Sequence, residues 1–309
     1  MSRTPPSAAA DALQARQRAE ALSARLPPLL VAAERVAATV AQGVHGRRRV
    51  GTGETFWQFR RYEPGDATTT IDWRQSARSQ RVFVRETEWE AAQSVWLWCD
   101  RTASMDYRSA PALPTKGERA RLLTLALALL LVRGGERVAL LDGEHPPGAN
   151  TFTIDRIAAA LSAGGPAGGP PGEVGDAADV PAPKPLPRHA QTVLVGDLLS
   201  PLDEIRRTVS ALTARGVRGH LLQVLDPAEE TLPFDGRVEF AGLQGEEAVL
   251  VPRVEAVRGA YLERLAAQRD GLSALARTAG WSFSAHRTDR PPQTALLALH
   301  AAVSRQAAG

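Results

Sequence analysis

The stretch DRTASM at residues 100–105 sets one carboxylate, Asp100, two residues before a hydroxyl, Thr102, and four before another, Ser104. A loop leaving a strand can turn three such oxygens toward one point. Carboxylate and hydroxyl oxygens are the hard ligands that Mg2+ or Mn2+ takes, with water completing an octahedral shell. Asp197, which closes VLVGD, supplies a second carboxylate. The same spacing also serves a plainer purpose, because Ser and Thr commonly close hydroxyl turns. Spacing alone leaves both readings open.

Placing these residues requires the elements around them. From residue 94 onward the chain alternates short apolar strands with helices. SVWLWCD (94–100) is followed by a helix over 118–133, RVALLDG (137–143) and a helix over 154–162. After an interruption come TVLVGDLL (192–199), a helix over 202–215, VRGHLLQVLD (217–226), a helix over 253–279, WSFSAH (281–286) and a last helix from 293. Short, almost wholly apolar strands of this kind belong to a parallel sheet covered by helices on both faces. The expected fold is therefore α/β, a doubly wound Rossmann-like domain over 94–309. In such sheets ligands sit beyond the carboxyl ends of the strands where the strand order reverses. Asp100 and Asp197 each end a strand, and the two are expected to face one crevice.

Several segments stand outside this alternation. Residues 164–187 are rich in Gly and Pro and read as a mobile surface loop. VEFAGLQGEEAVLV (238–251) reads as a hairpin turning at Gln244 and Gly245, with no role assigned. Residues 8–42 have helical spacing, divided at Pro27 and Pro28. RVFVRETEWE shows the period-two pattern of a strand. Together residues 1–93 are expected to form a small helical and β module. Its FWQFRRYEP and GDATTTIDWRQSAR stretches concentrate aromatics and arginines. There Asp72 and Glu86 offer acceptors to Arg60, Arg61, Arg74 and Arg78, an expected buried or half-buried ion network.

Composition narrows the function classes. The 309 residues are 44% hydrophobic, enough for one large core and a smaller module, and the net charge is +3. Positive charge is interleaved with acids and forms no long run beyond Arg47, Arg48 and Arg49, so nucleic acid is not the expected partner. One cysteine, Cys99, precludes an intrachain disulfide framework and fits a cytoplasmic location. The amino-terminal stretch lacks the apolar core of an export signal. The run LLTLALALLLV (122–132) is shorter than the roughly 20 residues of a membrane span and reads as a buried helix.

Enzyme templates fit poorly. No His-Glu-x-x-His, Gly-x-Ser-x-Gly or phosphate-loop pattern occurs in the sequence. Asp142 reads as a strand-end acid. Cys99 sits in an apolar strand beside Asp100, where a thiolate is disfavoured, and reads as core packing.

The set Asp100, Thr102, Ser104 and Asp197 resembles the metal-ion-dependent adhesion site of von Willebrand factor A domains, with Thr102 in place of the first serine. That resemblance implies a further threonine from another loop, for which Thr151 or Thr153 in ANTFTID is the nearest match, Thr153 being the one taken. The order FRRYEPGD, IDWRQSAR and then an acid-rich strand resembles the signature of the bacterial domain of unknown function 58 family. In that family the signature directly precedes a von Willebrand-type domain. Members often carry an arginine where this chain has Thr68, Thr69 and Thr70. The resemblance implies a non-enzymatic interaction protein that binds a partner's carboxylate through Mg2+ or Mn2+. It also implies action with a MoxR-type AAA+ ATPase in assembling or activating an unidentified client protein. The alternatives are a metal-dependent, phosphatase-like hydrolase using the same crevice, which needs a general base or second metal, and nucleic-acid binding through Arg47 to Arg49.

Overall fold

The computed structural model describes residues 28–44, 56–61, 73–78, 82–87, 94–163, 180–182, 184–243 and 247–307. Its centre is a five-stranded parallel sheet. The strands are β3 (Ser94–Cys99), β4 (Arg137–Leu140), β5 (Gln191–Gly196), β6 (Arg218–Leu225) and β9 (Ser282–Arg287), in spatial order β4-β3-β5-β6-β9. The order runs one way from β3 to β4 and the other way from β5 outward, so the reversal falls between β3 and β5. These two strands pair in parallel, Val95 with Gln191 through Cys99 with Val195.

Period-two alternation sends successive side chains to opposite faces. Val95, Leu97, Cys99, Val193, Val195, Leu222 and Val224 enter one core. Trp98, Leu194 and Leu221 enter the other. The first face is covered by α1 (Pro28–Val44), α3 (Lys116–Arg133), α4 (Thr151–Ser162) and α8 (Pro292–Ala307). The second is covered by α5 (Leu202–Thr213) and α7 (Val254–Thr278). Both faces being covered explains why the strands read as apolar runs.

The apolar run 122–132 lies inside α3, whose residues from Leu123 to Leu131 are all buried. Each such leucine contributes roughly 1.5–3 kcal/mol of burial. Thr115 and Glu118 form a capping box that starts this helix two residues before its expected beginning. Among the described residues no helix is long and apolar enough to cross a membrane.

The helix α1 precedes residue 93, the expected domain boundary, yet Leu30, Ala33, Val36, Ala37 and Val40 bury against the same core as α3 and α8. The signature region contributes β1 (Phe56–Arg61), α2 (Trp73–Ser76) and β2 (Phe83–Thr87), with β1 and β2 antiparallel. Ser76 Oγ accepts from the Phe83 N–H at 2.9 Å, tying α2 to β2. Arg74 and Arg78 are exposed rather than buried in an ion network. The side chains of Arg60, Arg61, Asp72 and Glu86 lie outside the described residues.

Other departures have local causes. The Gly/Pro-rich tract lies mostly outside the described residues, but its far end is anchored. Leu186 joins the second core, and the Pro181 carbonyl accepts from Thr208 Oγ1 at 3.2 Å. Beyond β6 the chain makes a short helix, α6 (Pro227–Thr231), capped by Asp226 with Glu229 in a capping box. The expected hairpin forms as β7 (Val238–Phe240) paired antiparallel with β8 (Val249–Val251), and its turn at Gln244 and Gly245 lies outside the described residues. Gly219 in β6 is required by packing, since a Cβ there would stand 2.7 Å from the Trp281 ring.

Two buried histidines stitch the outer strands. His220 on β6 bonds Ser282 Oγ at 2.6 Å and Ser284 Oγ at 2.9 Å on β9. His286 Nε2 lies 3.4 Å from an Arg119 nitrogen, and Arg119 also donates to the Thr288 and Arg290 carbonyls. Burial, with a neighbouring arginine in each case, lowers both imidazoles to about 4. In the unfolded chain they take up a proton near pH 6.5. Below that pH the unfolded chain binds protons that the fold refuses, so stability is fully present above about pH 6.5 and is lost as pH falls toward 4. The expected loss is about 3 kcal/mol per histidine across that window. Urea unfolding at neutral pH and at about pH 4.5 checks this, with a smaller loss expected in His220→Gln. A wild-type stability that does not change over the window would contradict it.

Candidate metal centre

The reversal between β3 and β5 does what the sequence pattern requires of it. Asp100 follows β3 and Asp197 follows β5, at the carboxyl edge of the sheet, and both are buried. The Asp100 N–H donates to the Val195 carbonyl at 2.8 Å, extending the strand pairing to the carboxylate itself. Gly196 lies directly beneath, where a Cβ would stand 2.9 Å from Asp100 Cβ.

After Asp100 the chain turns back on its own carboxylate. The Thr102 N–H and hydroxyl both donate to Asp100 Oδ1, at 2.9 and 2.8 Å. Thr102 Oγ1 lies 2.9 Å from Ser104 Oγ, and Ser104 Oγ donates to Asp197 Oδ2 at 2.9 Å. Asp100, Thr102, Ser104 and Asp197 thus present four oxygens in one continuous series across the two strand ends. The turn reading and the convergent reading of these residues describe the same loop.

The fourth residue of the series is held by its own surroundings. Leu198 adopts φ 51°, a left-handed conformation uncommon for a residue with a side chain, directly after Asp197. The Leu199 N–H closes toward Asp197 Oδ1 at 3.3 Å. Gln223 donates to the Asp197 carbonyl at 2.9 Å and accepts from Arg269 at 2.8 Å. Gln268, next to it on α7, donates to the Leu198 and Ser200 carbonyls at 3.0 and 2.9 Å. The loop that carries Asp197 is therefore clamped from α7 and β6.

Thr153 does not join the series. It is buried, but its N–H and hydroxyl both donate to Asn150 Oδ1 at 2.9 Å, the cap of α4, and Thr151 is exposed at the first position of that helix. The resemblance asks for a threonine from another loop, whereas here Asn150 caps α4 and takes up the Thr153 N–H and hydroxyl. Asp142 lies in the turn after β4 rather than at a strand end, and it pairs with Arg101.

The residue that sequence reasoning missed is Lys116. Its ammonium donates to Asp197 Oδ2 at 3.0 Å and to Glu229 Oε1 at 2.6 Å, with the side chain almost wholly buried. Burial alone would lower its pKa, but the Asp197 and Glu229 charges outweigh burial and hold it above its ordinary value. Glu229 Oε2 meanwhile accepts from the Asp226 N–H at 2.8 Å, and the Asp226 carboxylate accepts from Ser109 and Ala228 N–H groups. A signal existed in PTKGER: Thr115 and Glu118 have capping-box spacing, which places a lysine at the helix start, the wrong end for positive charge.

Does this donor set suit a divalent cation? The series runs at 2.8, 2.9 and 2.9 Å, ordinary O–H···O hydrogen-bond lengths, so what bears on a cation is the type of the donors, two carboxylates and two hydroxyls. Among the described residues no three His, Cys, Asp or Glu side chains gather as metal ligands, so a cation here depends on the two hydroxyls. In chemical type these are hard oxygens of the kind that magnesium or manganese takes.

Beside the oxygens opens a groove of about 500 Å³. Ser104, Lys116, Asp197 and Glu229 line it with polar atoms, while Leu199, Leu232, Phe234, Phe240 and Leu243 make its apolar side. Phe240 belongs to β7, so the hairpin is one wall of this groove.

A match to the family described as "Protein of unknown function DUF58" spans residues 58–271. An uncharacterized protein of Mycobacterium tuberculosis is 28% identical over 270 residues, covering 81% of this chain and 80% of its own. One of Mycobacterium bovis matches to the same extent. Among solved structures, the conserved hypothetical protein BatB from Bacteroides thetaiotaomicron aligns over 70% of this chain and all of its own, with a TM-score of 0.42 and 12% identity. An aerotolerance-related membrane protein from Bacteroides fragilis aligns over 69% and 99%, with a TM-score of 0.38 and 13% identity.

The packing around the site also fixes the state of Cys99, which ends β3 beside Asp100. Burial, aided by the Asp100 charge and opposed by a hydrogen bond to Thr124, pushes its thiol up to about 12. Iodoacetamide at a pH near the ordinary thiol value of about 8.5 should therefore leave the native protein unmodified and label it fully in denaturant. Stoichiometric labelling of the folded protein would contradict this packing.

Proposed function

The chain belongs to the DUF58 family, and we propose that it is a non-enzymatic interaction protein that captures a carboxylate of a partner at the β3/β5 crevice. In this reading Asp100, Thr102, Ser104 and Asp197 hold Mg2+ or Mn2+, and the groove admits the partner's acid. A bound divalent ion supplies an electrophilic position that a partner's carboxylate oxygen can fill. The protein's own residues do the rest. Asp100 and Asp197 provide charge, Thr102 and Ser104 complete the donor set, and α7 keeps the Asp197 loop in place through Gln268.

The observation that carries this reading is the unbroken series of two carboxylates and two hydroxyls across the two strand ends, two of whose members, Ser104 and Asp197, line a groove large enough for side chains of a second protein. A binding role is supported over hydrolysis by the commitments of the neighbouring ionisable groups. Lys116 is kept protonated between two carboxylates, and Asp226 and Glu229 already accept hydrogen bonds from backbone N–H groups. A general base drawn from these groups would first have to give up those bonds. The partner class rests on the signature resemblance at FRRYEPGD and IDWRQSAR: a MoxR-type AAA+ ATPase, with the client protein handed between them.

The test is capture of the purified MoxR-type ATPase from the same cells on immobilised protein. Binding is expected in magnesium and lost in chelator. Asp197→Asn should lower affinity as much as chelation does, and the two treatments together should cost little more, because both remove one interaction. Full-strength capture in chelator would overturn the metal bridge.

A further inference from the structure

Lys116 breaks two local rules at once. It occupies the first position of α3, where the aligned peptide dipoles favour negative charge. Its side chain is only 2% exposed, where an ammonium is costly unless paired. The capping box formed by Thr115 and Glu118 already satisfies the start of the helix, so α3 does not need a lysine there. What Lys116 does is reach into the crevice. Its Nζ lies 3.0 Å from Asp197 Oδ2, the same atom that accepts from Ser104 Oγ at the end of the oxygen series.

A divalent ion and an ammonium on one carboxylate oxygen repel each other and compete for its lone pairs. The second acceptor resolves that competition. Glu229 Oε1 stands 2.6 Å from the same ammonium and takes no part in the series. Glu229 is itself fixed, because its other oxygen accepts from the Asp226 N–H in the cap of α6. Lysine suits the task, with a flexible four-carbon stem and three rotatable donors. The ammonium can thus shift its weight from Asp197 to Glu229 without leaving the crevice or losing all pairing.

We infer that Lys116 is the resident cation of this site. It neutralises Asp197 in the metal-free protein and yields that oxygen, retreating to Glu229, when a divalent ion binds the series. Metal affinity is then set by an exchange between ammonium and ion, and Glu229 sets the ease of that exchange. The inference rests on the metal reading proposed above, and it makes two residues outside the donor set determinants of metal affinity.

Calorimetric titration with Mn2+ alone, on wild type, Lys116→Met and Glu229→Gln, tests it. Lys116→Met removes the competitor and should bind Mn2+ at least tenfold more tightly. In chelator it should melt below wild type, because Asp197 and Glu229 lose their counter-charge, and Mn2+ should restore most of the difference. Glu229→Gln takes away the retreat and should bind several-fold more weakly than wild type. Asp100→Ala should abolish binding in every background. If wild type binds Mn2+ and Lys116→Met binds no more tightly, the exchange is wrong and the metal reading stands. If wild type fails to bind and Lys116→Met binds, the metal bridge fails for the natural protein and the lysine is its occupant. If neither binds, both ideas fall. Should Lys116→Met not fold with or without Mn2+, Glu229→Gln decides, and an affinity equal to wild type overturns the exchange.

Discussion

The buried ammonium of Lys116 ties together three parts of the chain: the start of α3, the loop after β5 and the helix α6. Its two contacts, to Asp197 and to Glu229, bridge 81 and 113 residues of sequence. Removing one member of such a buried pair typically costs about 3–5 kcal/mol, because the survivor is left charged and dry. Charge balance is therefore a constraint on the whole crevice. Asp197 and Glu229 are buried there together with the ammonium that pairs with both, while α3 itself is seated by its buried leucines and alanines.

Around this centre the fold works as a frame. Parallel pairing of β3 with β5 carries Asp100 and Asp197 to the same edge, and Gly196 lets the Asp100 side chain lie against the neighbouring backbone. The left-handed Leu198 turns the chain sharply after Asp197, a conformation that costs energy and that Gln268 helps to hold from α7. Arg269, one residue on, supports Gln223 and pairs with Glu230, so the same helix steadies both β6 and α6. The hairpin of β7 and β8 closes the far side of the groove with Phe240, giving a polar floor and an apolar wall within reach of one bound segment.

Much of this was legible in the sequence because it depends on patterns that repeat. Apolar strands alternating with helices imply a parallel sheet, and a parallel sheet with a reversal brings Asp100 and Asp197 together. What escaped depends on single residues and on contacts far apart in the chain. Lys116 is one charge at the start of a helix, and only the fold brings it to Asp197. Glu229 lies in DPAEE, whose capping-box spacing marks α6, yet nothing local says that its carboxylate faces a lysine. Thr153 was matched through the resemblance, whereas the hydrogen bond to Asn150 decides where its hydroxyl points. Leu186 sits in a stretch of Gly and Pro that reads as loop, and one buried leucine is enough to pin its end to the core.

In the exchange we propose, one set of oxygens serves two cations in turn. This exchange is tested most directly by a crystal structure of the protein grown with Mn2+ and recorded at a wavelength where manganese scatters anomalously. An anomalous peak is expected within bonding distance of Asp100, Thr102, Ser104 or Asp197 oxygens, with Lys116 Nζ drawn away from Asp197 and still on Glu229. A fully liganded peak with Lys116 unmoved from Asp197, or no peak at these oxygens, would contradict it.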